Sequence, residues 1–267
     1  MDRRAFIRGA VTTTVAAAAG ASLCAYSKDT HDIEITTVPF SIGLNHPLRM
    51  VVLGDIHFDP LFEEAYIAHV CSLVTSLQPD IIFYTGDFIS AHADRINVLS
   101  GILSQSVARL GSYAIPGNHE HWTGIEAITL SLENRGIHVL RNDFITLPDE
   151  DAVYLTGLDS FWAGQPDLMI FSRTPDNSRH ILFVHEPDPF SELIDPRIKI
   201  QISGHTHGGQ IRLPLYGAVI LPNLGRNFET GLYTRDGRTL YVNRGIGTLV
   251  PHLRLNCRPE ITVFELT

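Results

Sequence analysis

Apolar residues follow two rhythms along this chain. Short unbroken runs, Met50 to Leu53, Ile81 to Tyr84 and Ile181 to Val184, have the length and β-branched content of strands buried on both faces, and Ile198 to Ile202, where isoleucine alternates with Lys199 and Gln201, reads as a further strand. Helical spacing fills other segments: Glu63 to Leu77, with Ile67, Val70, Cys71, Val74 and Leu77 on one face, then Asp94 to Arg109, and Ile125 to Arg135 closed by Gly136. A run, a helix and a second run predict a βαβ unit and a parallel sheet. Tyr113 to Ile115 reads as another strand of that sheet.

After Ile137 the helical rhythm fades. Val139-Leu140, Asp143 to Leu147 and Ala152 to Gly157 read as antiparallel strands between turn residues, which implies a second sheet. Thr239 to Val242 and Ile261 to Leu266 close the chain as strands, and Ile33 to Val38, alternating, reads as an edge strand. Leu213 to Phe228, with Pro214, Gly217, Pro222 and Gly225, is a long loop. Its apolar part, Leu213 to Leu221, reads first as a lid folded over the core and otherwise as a contact for acyl chains. No repeat or interdomain linker is visible, so residues 49–267 form one domain after a lead-in at 26–48.

Composition agrees with a single large core: 267 residues, 44% hydrophobic and 9% aromatic. A formal charge of −9 argues against nucleic acid as a partner but not against an anionic substrate, because bound cations reverse the field locally. Three cysteines make no disulfide framework. Cys71 falls on the apolar helix face, where a buried inert thiol is expected; a bridge to Cys257 has no support from the pattern.

Residues 1–25 read as an address. Asp2-Arg3-Arg4-Ala5-Phe6-Ile7-Arg8 precedes an Ala-rich, weakly apolar run, the layout of a twin-arginine leader. The expected partner is then the twin-arginine translocation machinery, and the expected location is periplasmic or membrane-associated, with an uncleaved inner-membrane anchor or an inconsequential cytoplasmic tail as the alternatives. Ala19-Gly20-Ala21 suits cleavage, whereas Leu23 spoils a lipoprotein box at Cys24. Cleavage would remove three arginines and one aspartate and leave the mature chain at −11.

The candidate chemistry sits where strand runs end: Gly54-Asp55-Ile56-His57, Gly86-Asp87, Gly117-Asn118-His119-Glu120, His185 and Gly204-His205-Thr206-His207. Gly-Asp or Asn-His alone is an ordinary turn. The compact His205-Thr206-His207 pair has little structural use, and the ordered set meets the needs of a two-metal hydrolytic site: imidazole, one bridging carboxylate and a neutral oxygen donor. Asp55 and His57, at i and i+2, are expected to leave a strand end on one side and grip one ion. Asp87 is placed to bridge two ions about 3.5–4 Å apart. Asn118 suits the second ion, and His205 and His207, alternating in an extended segment, serve different ions while Thr206 packs or caps.

With these residues in place, the chain resembles the calcineurin-like metallophosphoesterase superfamily, whose pattern is D-x-H, G-D, G-N-H-[DE], H and G-H-x-H. Gly208-Gly209-Gln210, Trp162-Ala163-Gly164-Gln165, Asn243 to Gly247 and Arg254 to Glu260 resemble in addition its YaeI-type bacterial phosphodiesterases with twin-arginine leaders. The resemblance implies an α/β (α+β) fold, a four-layer αββα sandwich of two mixed sheets flanked by helices. It implies one ion held by Asp55, His57, Asp87 and His207 and another by Asp87, Asn118, His185 and His205. It makes His119 the catalytic histidine outside the ligand set, with Glu120 orienting it, and leaves Asp159 and His121 as candidates to support the ligands.

The implied reaction is hydrolysis of a phosphodiester or pyrophosphate bond by a hydroxide activated between two divalent ions, Mn, Fe or Zn being equally suited. A small phosphodiester or a lipid-linked phosphate is the expected substrate, with peripheral membrane contact, and Arg244 is a candidate phosphate contact. Two other readings stand beside this: a UDP-2,3-diacylglucosamine pyrophosphatase-like enzyme of lipid A synthesis, which an export leader disfavours, and a non-catalytic metal-binding scaffold, which the complete motif set disfavours.

Overall fold

Alternation within the apolar runs decides how they stack. In β2 (Leu48–Leu53) and β3 (Ile81–Tyr84), Met50, Val52, Ile81 and Phe83 face a second sheet, where they meet Ile181, Phe183, Ile200 and Ile202. The intervening Val51, Leu53, Ile82 and Tyr84 face helices. Two buried faces per strand leave no polar position, which is why these runs are unbroken. The computed structural model describes residues 30–58 and 64–267, so the leader expected over residues 1–25, with Cys24, lies outside the described residues.

The first sheet has the order β1 (Glu34–Phe40), β14 (Glu260–Leu266), β2, β3, β4 (Ser112–Ala114), β5 (Ile137–Val139). β2 to β5 run parallel, and β14 is antiparallel to β2. The second sheet has the order β12 (Gly231–Arg235), β13 (Arg238–Val242), β9 (Ile198–Ser203), β8 (Arg179–Phe183), β7 (Val153–Gly157), β6 (Asp143–Thr146), antiparallel only at its two margins. A small hairpin joins β10 (Arg212–Leu213) to β11 (Gly217–Ala218).

Helices α1 (Glu64–Ser76), α2 (Ile96–Leu103) and α4 (Ile125–Glu133) cover the outer face of the first sheet through Ile67, Val70, Val74, Leu99, Ile128 and Leu132. A short α3 (Asn118–Thr123) precedes α4. On the outer face of the second sheet, Leu182, Val184 and Ile198 are covered by Ile170 and Phe171 of a 3-10 turn at Leu168–Arg173 and by Leu193. The fold is thus mixed α/β with two large mixed sheets, and its fourth layer is built from 3-10 turns. Among the described residues, no helix is long and apolar enough to cross a membrane.

Several expectations shift. Val139 ends β5, a parallel member of the first sheet, whereas the strand pattern suggested a place among antiparallel strands. The helix expected over 94–109 is confined to α2 after a 3-10 turn at 93–95; Ser104 and Ser106 beyond it turn their hydroxyls onto the carbonyls of Gly101 and Cys71. The 213–221 stretch is no lid: Leu215, Tyr216 and Ile220 are exposed. Cys71 and Cys257 are separate buried thiols.

Phe83 and Phe183 stack across the two sheets with ring centroids 3.3 Å apart and planes 4° from parallel. Phe83→Ala is expected to lower stability by about 3–5 kcal/mol, measured by urea denaturation, because this layer has no freedom to collapse onto the gap. A loss near zero would contradict that packing.

Candidate metal centre

The motif residues follow β2, β3, β4, β8 and β9 at their C-terminal ends, so the parallel strands of the two sheets deliver them to one place. Chain direction at each exit is unusual. Asp55 (φ 47°), His57 (φ 48°), Asp87 (φ 55°), His205 (φ 74°) and His207 (φ 52°) all adopt the left-handed conformation. Each such non-glycine residue costs on the order of 1–3 kcal/mol and persists only where surrounding contacts hold it. The expectation of extended segments with side chains alternating to one side is therefore corrected. Thr206, between two left-handed histidines, is right-handed, accepts from Gly208 N–H and donates to the Glu229 carbonyl, which is the cap foreseen for it.

Glycines let the exits close. A Cβ on Gly117 would strike Asp87 Oδ1 and the His185 ring, and one on Gly204 would strike Asp55 Oδ2. Backbone bonds then join the loops: His205 N–H donates to Asp55 Oδ1 (2.7 Å) and His119 N–H to Asp87 Oδ1 (3.0 Å). The buried Glu120 carboxylate accepts from the N–H groups of Asp87, Phe88 and Gly117, each at 2.8 Å. Glu120 thus clamps two loops and does not orient His119. The Ser90 carbonyl does that, accepting from His119 Nδ1 at 2.7 Å and leaving Nε2 for substrate.

Asp55, His57, Asp87, His119, His185, His205 and His207 converge in three overlapping groups: Asp55, His57 and His207; His57, Asp87 and His119; Asp87, His185 and His205. Within each group the donor atoms lie within 4.8 Å of one another. Asp87 Oδ2 stands between the outer two groups, 3.5 Å from His57 Nε2 and 3.1 Å from His185 Nε2. Asn118 Oδ1 is buried without a hydrogen-bond partner, as are Asp55 Oδ2, His57 Nδ1 and His207 Nδ1.

Two carbonyls fix the tautomers. The Thr85 carbonyl can only accept, so His185 Nδ1 donates to it (2.7 Å) and Nε2 carries the lone pair. By the same logic His205 Nε2 donates to the Asn223 carbonyl (2.7 Å) and Nδ1 carries the lone pair. Those two lone-pair nitrogens face each other at 3.2 Å beside Asp87 Oδ2. His57 Nε2 and His207 Nε2 lie 3.0 Å apart, and no carbonyl fixes the tautomer of either ring. Three acceptors around one point need a positive charge between them.

In the protein alone a proton can supply it. Burial pushes His185 down, but the facing Asp87 carboxylate overrides this and holds the ring well above the usual histidine range. Burial pushes His57 down to about 3 and His205, helped by the charge on His185, down to about 4. These two rings therefore stay neutral and present lone pairs near neutral pH. A divalent cation is the other occupant such a donor set fits, since neutral imidazoles, carboxylates and an amide oxygen are its ordinary ligands.

Arg244 is not free for phosphate. Its guanidinium pairs with Glu260 (3.2 Å) and Glu34 (3.0 Å), which ties the β13 exit to β14 and β1. The cation that does serve the centre is Arg254, wholly buried, whose guanidinium donates to the carbonyls of Arg244, Gly245, Gly247 and His207. Burial lowers its pKa from the usual arginine value. His121 pairs with Asp159 (2.6 Å), whose other oxygen accepts from Arg141, and neither residue is among the converging donors.

Both tryptophans of the chain line the mouth. Trp122 lies 5.0 Å from His119 and 5.0 Å from Trp162, which lies 5.6 Å from His205. The Glu186 carboxylate holds the Trp162 loop through Ser160 Oγ (2.5 Å) and the N–H groups of Phe161 and Trp162. Trp122, two residues beyond Glu120, and Glu186, next to His185, were within reach of a motif reading; the carbonyls of Thr85, Ser90 and Asn223 were not, because every residue carries one.

The fold and donor set define a metallophosphoesterase, and the chain belongs to the calcineurin-like phosphoesterase family, whose pattern matches residues 48–209. It is accordingly a hydrolase of phosphoester bonds. Among relatives, it is 34% identical over 281 residues to the uncharacterized metallophosphoesterase YkuE of Bacillus subtilis, with 100% of this chain and 98% of that protein covered. It is 31% identical over 225 residues to the phosphodiesterase YaeI of Escherichia coli, with 82% of each covered. The crystal structure of TT1561 of Thermus thermophilus shares the fold, with a TM-score of 0.51 at 10% identity over 75% of this chain and 91% of that one.

Gly117→Ala, which drives a methyl group into Asp87 and His185, is expected to weaken Mn²⁺ binding by at least about tenfold in titration calorimetry. Unchanged affinity would show that the Asp87 and His185 geometry does not matter for the cation.

Proposed function

We propose that this protein is a metal-dependent phosphodiesterase that works with two divalent cations. The observation that supports this most is the meeting of donor atoms at two points joined by Asp87: His57 and His207 with Asp55 on one side, and the facing lone pairs of His185 and His205 on the other. Asp55, His57, Asp87 and His207 would hold one cation, and Asp87, Asn118, His185 and His205 the other. Mn, Fe and Zn each suit this set of nitrogen and oxygen donors. When bound, the cations supply the charge that polarises phosphate and activates the attacking water.

The chain's own residues supply the rest. His119, with Nδ1 committed to the Ser90 carbonyl, presents Nε2 to the leaving-group oxygen and delivers a proton to it as the P–O bond breaks. Glu120 holds Asp87 and Gly117 in place, and Trp122 and Trp162 shield the His119 side from water. Preference for a diester is supported by the likeness to YaeI, itself named a phosphodiesterase.

The arginine pair and the Ala-rich run at residues 1–25 support export by the twin-arginine route and work at the periplasmic or membrane surface on a small or lipid-linked phosphodiester. The acidic charge of −9 supports the absence of a nucleic-acid partner.

Purified protein is expected to hydrolyse bis-p-nitrophenyl phosphate with Mn²⁺ and to stop on chelation; no metal-dependent release would defeat the proposal. His119→Ala should retain Mn²⁺ binding by calorimetry while kcat drops by about 10²–10⁴-fold, and full activity would remove His119 from the reaction. Arg3→Lys combined with Arg4→Lys should leave the protein in the cytoplasmic fraction; normal export of that variant would exclude the twin-arginine route.

A further inference from the structure

An apolar groove of about 220 Å³ has two of the candidate ligands, His205 and His207, in its lining. His205 and His207 form its inner end, Gly209 and Ile211 its floor, and Val219, Ile220, Leu249 and Val250 its walls. The β10–β11 hairpin grows out of this wall, since Val219 N–H donates to the Ile211 carbonyl and the chain between them forms the hairpin. Leu215 and Tyr216 at its tip are exposed, as are Ile220 and Val250 on the groove rim.

Apart from the ring nitrogens that face the donor cluster, among them the unpartnered His207 Nδ1, the polar side chains of the lining are already engaged. Gln210 donates to the carbonyls of Leu249 and Pro251 and accepts from Leu249 N–H, so it ties one wall to the floor. Thr206 spends its hydroxyl on Glu229 and Gly208, and His205 Nε2 is spent on the Asn223 carbonyl. Among the described residues, no Asp, Glu, Lys or Arg side chain lines the groove. Sugar hydroxyls or the edge of a base would find no side-chain partner beside Ile211, Val219, Ile220, Leu249 and Val250 and would lose their hydrogen bonds to water. An aliphatic chain loses nothing and gains by leaving water.

We propose that this groove is the subsite for an aliphatic chain carried by the substrate, so that the enzyme acts on phosphodiesters in which one ester arm is alkyl or acylated. The inference rests on the phosphodiesterase reading above. With phosphate at the donor atoms, one arm runs past His205 and His207 into the groove, and the other lies toward His119 and Trp122, on the side where the leaving oxygen is protonated. The exposed hairpin tip beside the groove extends the same apolar surface outward, which suits a chain drawn from a lipid surface as well as one in solution.

The test uses the full chain with Mn²⁺ and methyl, butyl and octyl p-nitrophenyl phosphate, each below its micelle concentration. The kcat/KM is expected to rise from methyl to octyl by on the order of a hundredfold, less than full transfer of seven methylenes allows because one side of the groove stays open. Ile220→Asp and Val250→Asp, on the rim, should collapse the octyl-to-methyl ratio to below about tenfold, and Ile194→Asp, exposed on another face, should keep it. A flat chain-length profile, or a ratio that survives both rim substitutions, would overturn the proposal. Failure to cleave any of the three esters would instead defeat the phosphodiesterase reading. A parallel arm offers hexadecyl p-nitrophenyl phosphate in phosphatidylcholine vesicles: cleavage there assigns the chain to a membrane lipid, and cleavage of the octyl monomer alone assigns it to a soluble amphiphile.

Discussion

The constraint on which the rest depends is that lone pairs are forced to face one another in a buried pocket. The Thr85 and Asn223 carbonyls take the only ring hydrogens of neutral His185 and His205, so Nε2 of one and Nδ1 of the other meet beside Asp87 with nothing to share. Such an arrangement repels itself unless a positive charge lies within it. The centre therefore calls for a positive charge, which a proton on His185 supplies in the protein alone and a divalent cation can supply in its place. Left-handed backbone at Asp55, His57, Asp87, His205 and His207 is part of the same design, because those conformations aim five side chains inward from exits that would otherwise continue as extended chain.

What holds this strained arrangement is the stack of two sheets. Met50, Val52, Ile81 and Phe83 on one inner face and Ile181, Phe183, Ile200 and Ile202 on the other leave the strand ends no freedom to drift. Glu120 then joins the β3 and β4 exits through three amide hydrogens, and Arg254 joins the exits of β9 and β13 through carbonyls. A carboxylate gathers N–H groups and a guanidinium gathers C=O groups, so the centre is framed from opposite sides by opposite charges.

Much of this was legible in the chain. The unbroken runs before Gly54, Gly86 and His185 marked strands buried on both faces, the alternating isoleucines of Ile198 to Ile202 marked the strand before Gly204, and the spacing of Ile67, Val70, Cys71 and Val74 marked the face that α1 buries. The motif residues are legible because chemistry restricts their types. β5 was misplaced because a three-residue strand carries too little pattern to say which sheet it joins. The Leu213 to Leu221 stretch was read as a lid because its composition is that of a core, and nothing in composition says whether a loop turns inward or outward.

By itself, then, the sequence determined which residues the candidate centre draws on, the parallel strands that carry them and the helical layer behind them, since periodicity and side-chain type are local properties of a chain. Only the tertiary structure decided that Arg244 is committed to Glu34 and Glu260 while Arg254 serves the centre, and that Ser90 rather than Glu120 orients His119. It also decided that an apolar groove runs from His205 and His207 to Val250. Those are relations between atoms far apart in the chain, made by backbone carbonyls and packed surfaces that every sequence possesses and no motif records.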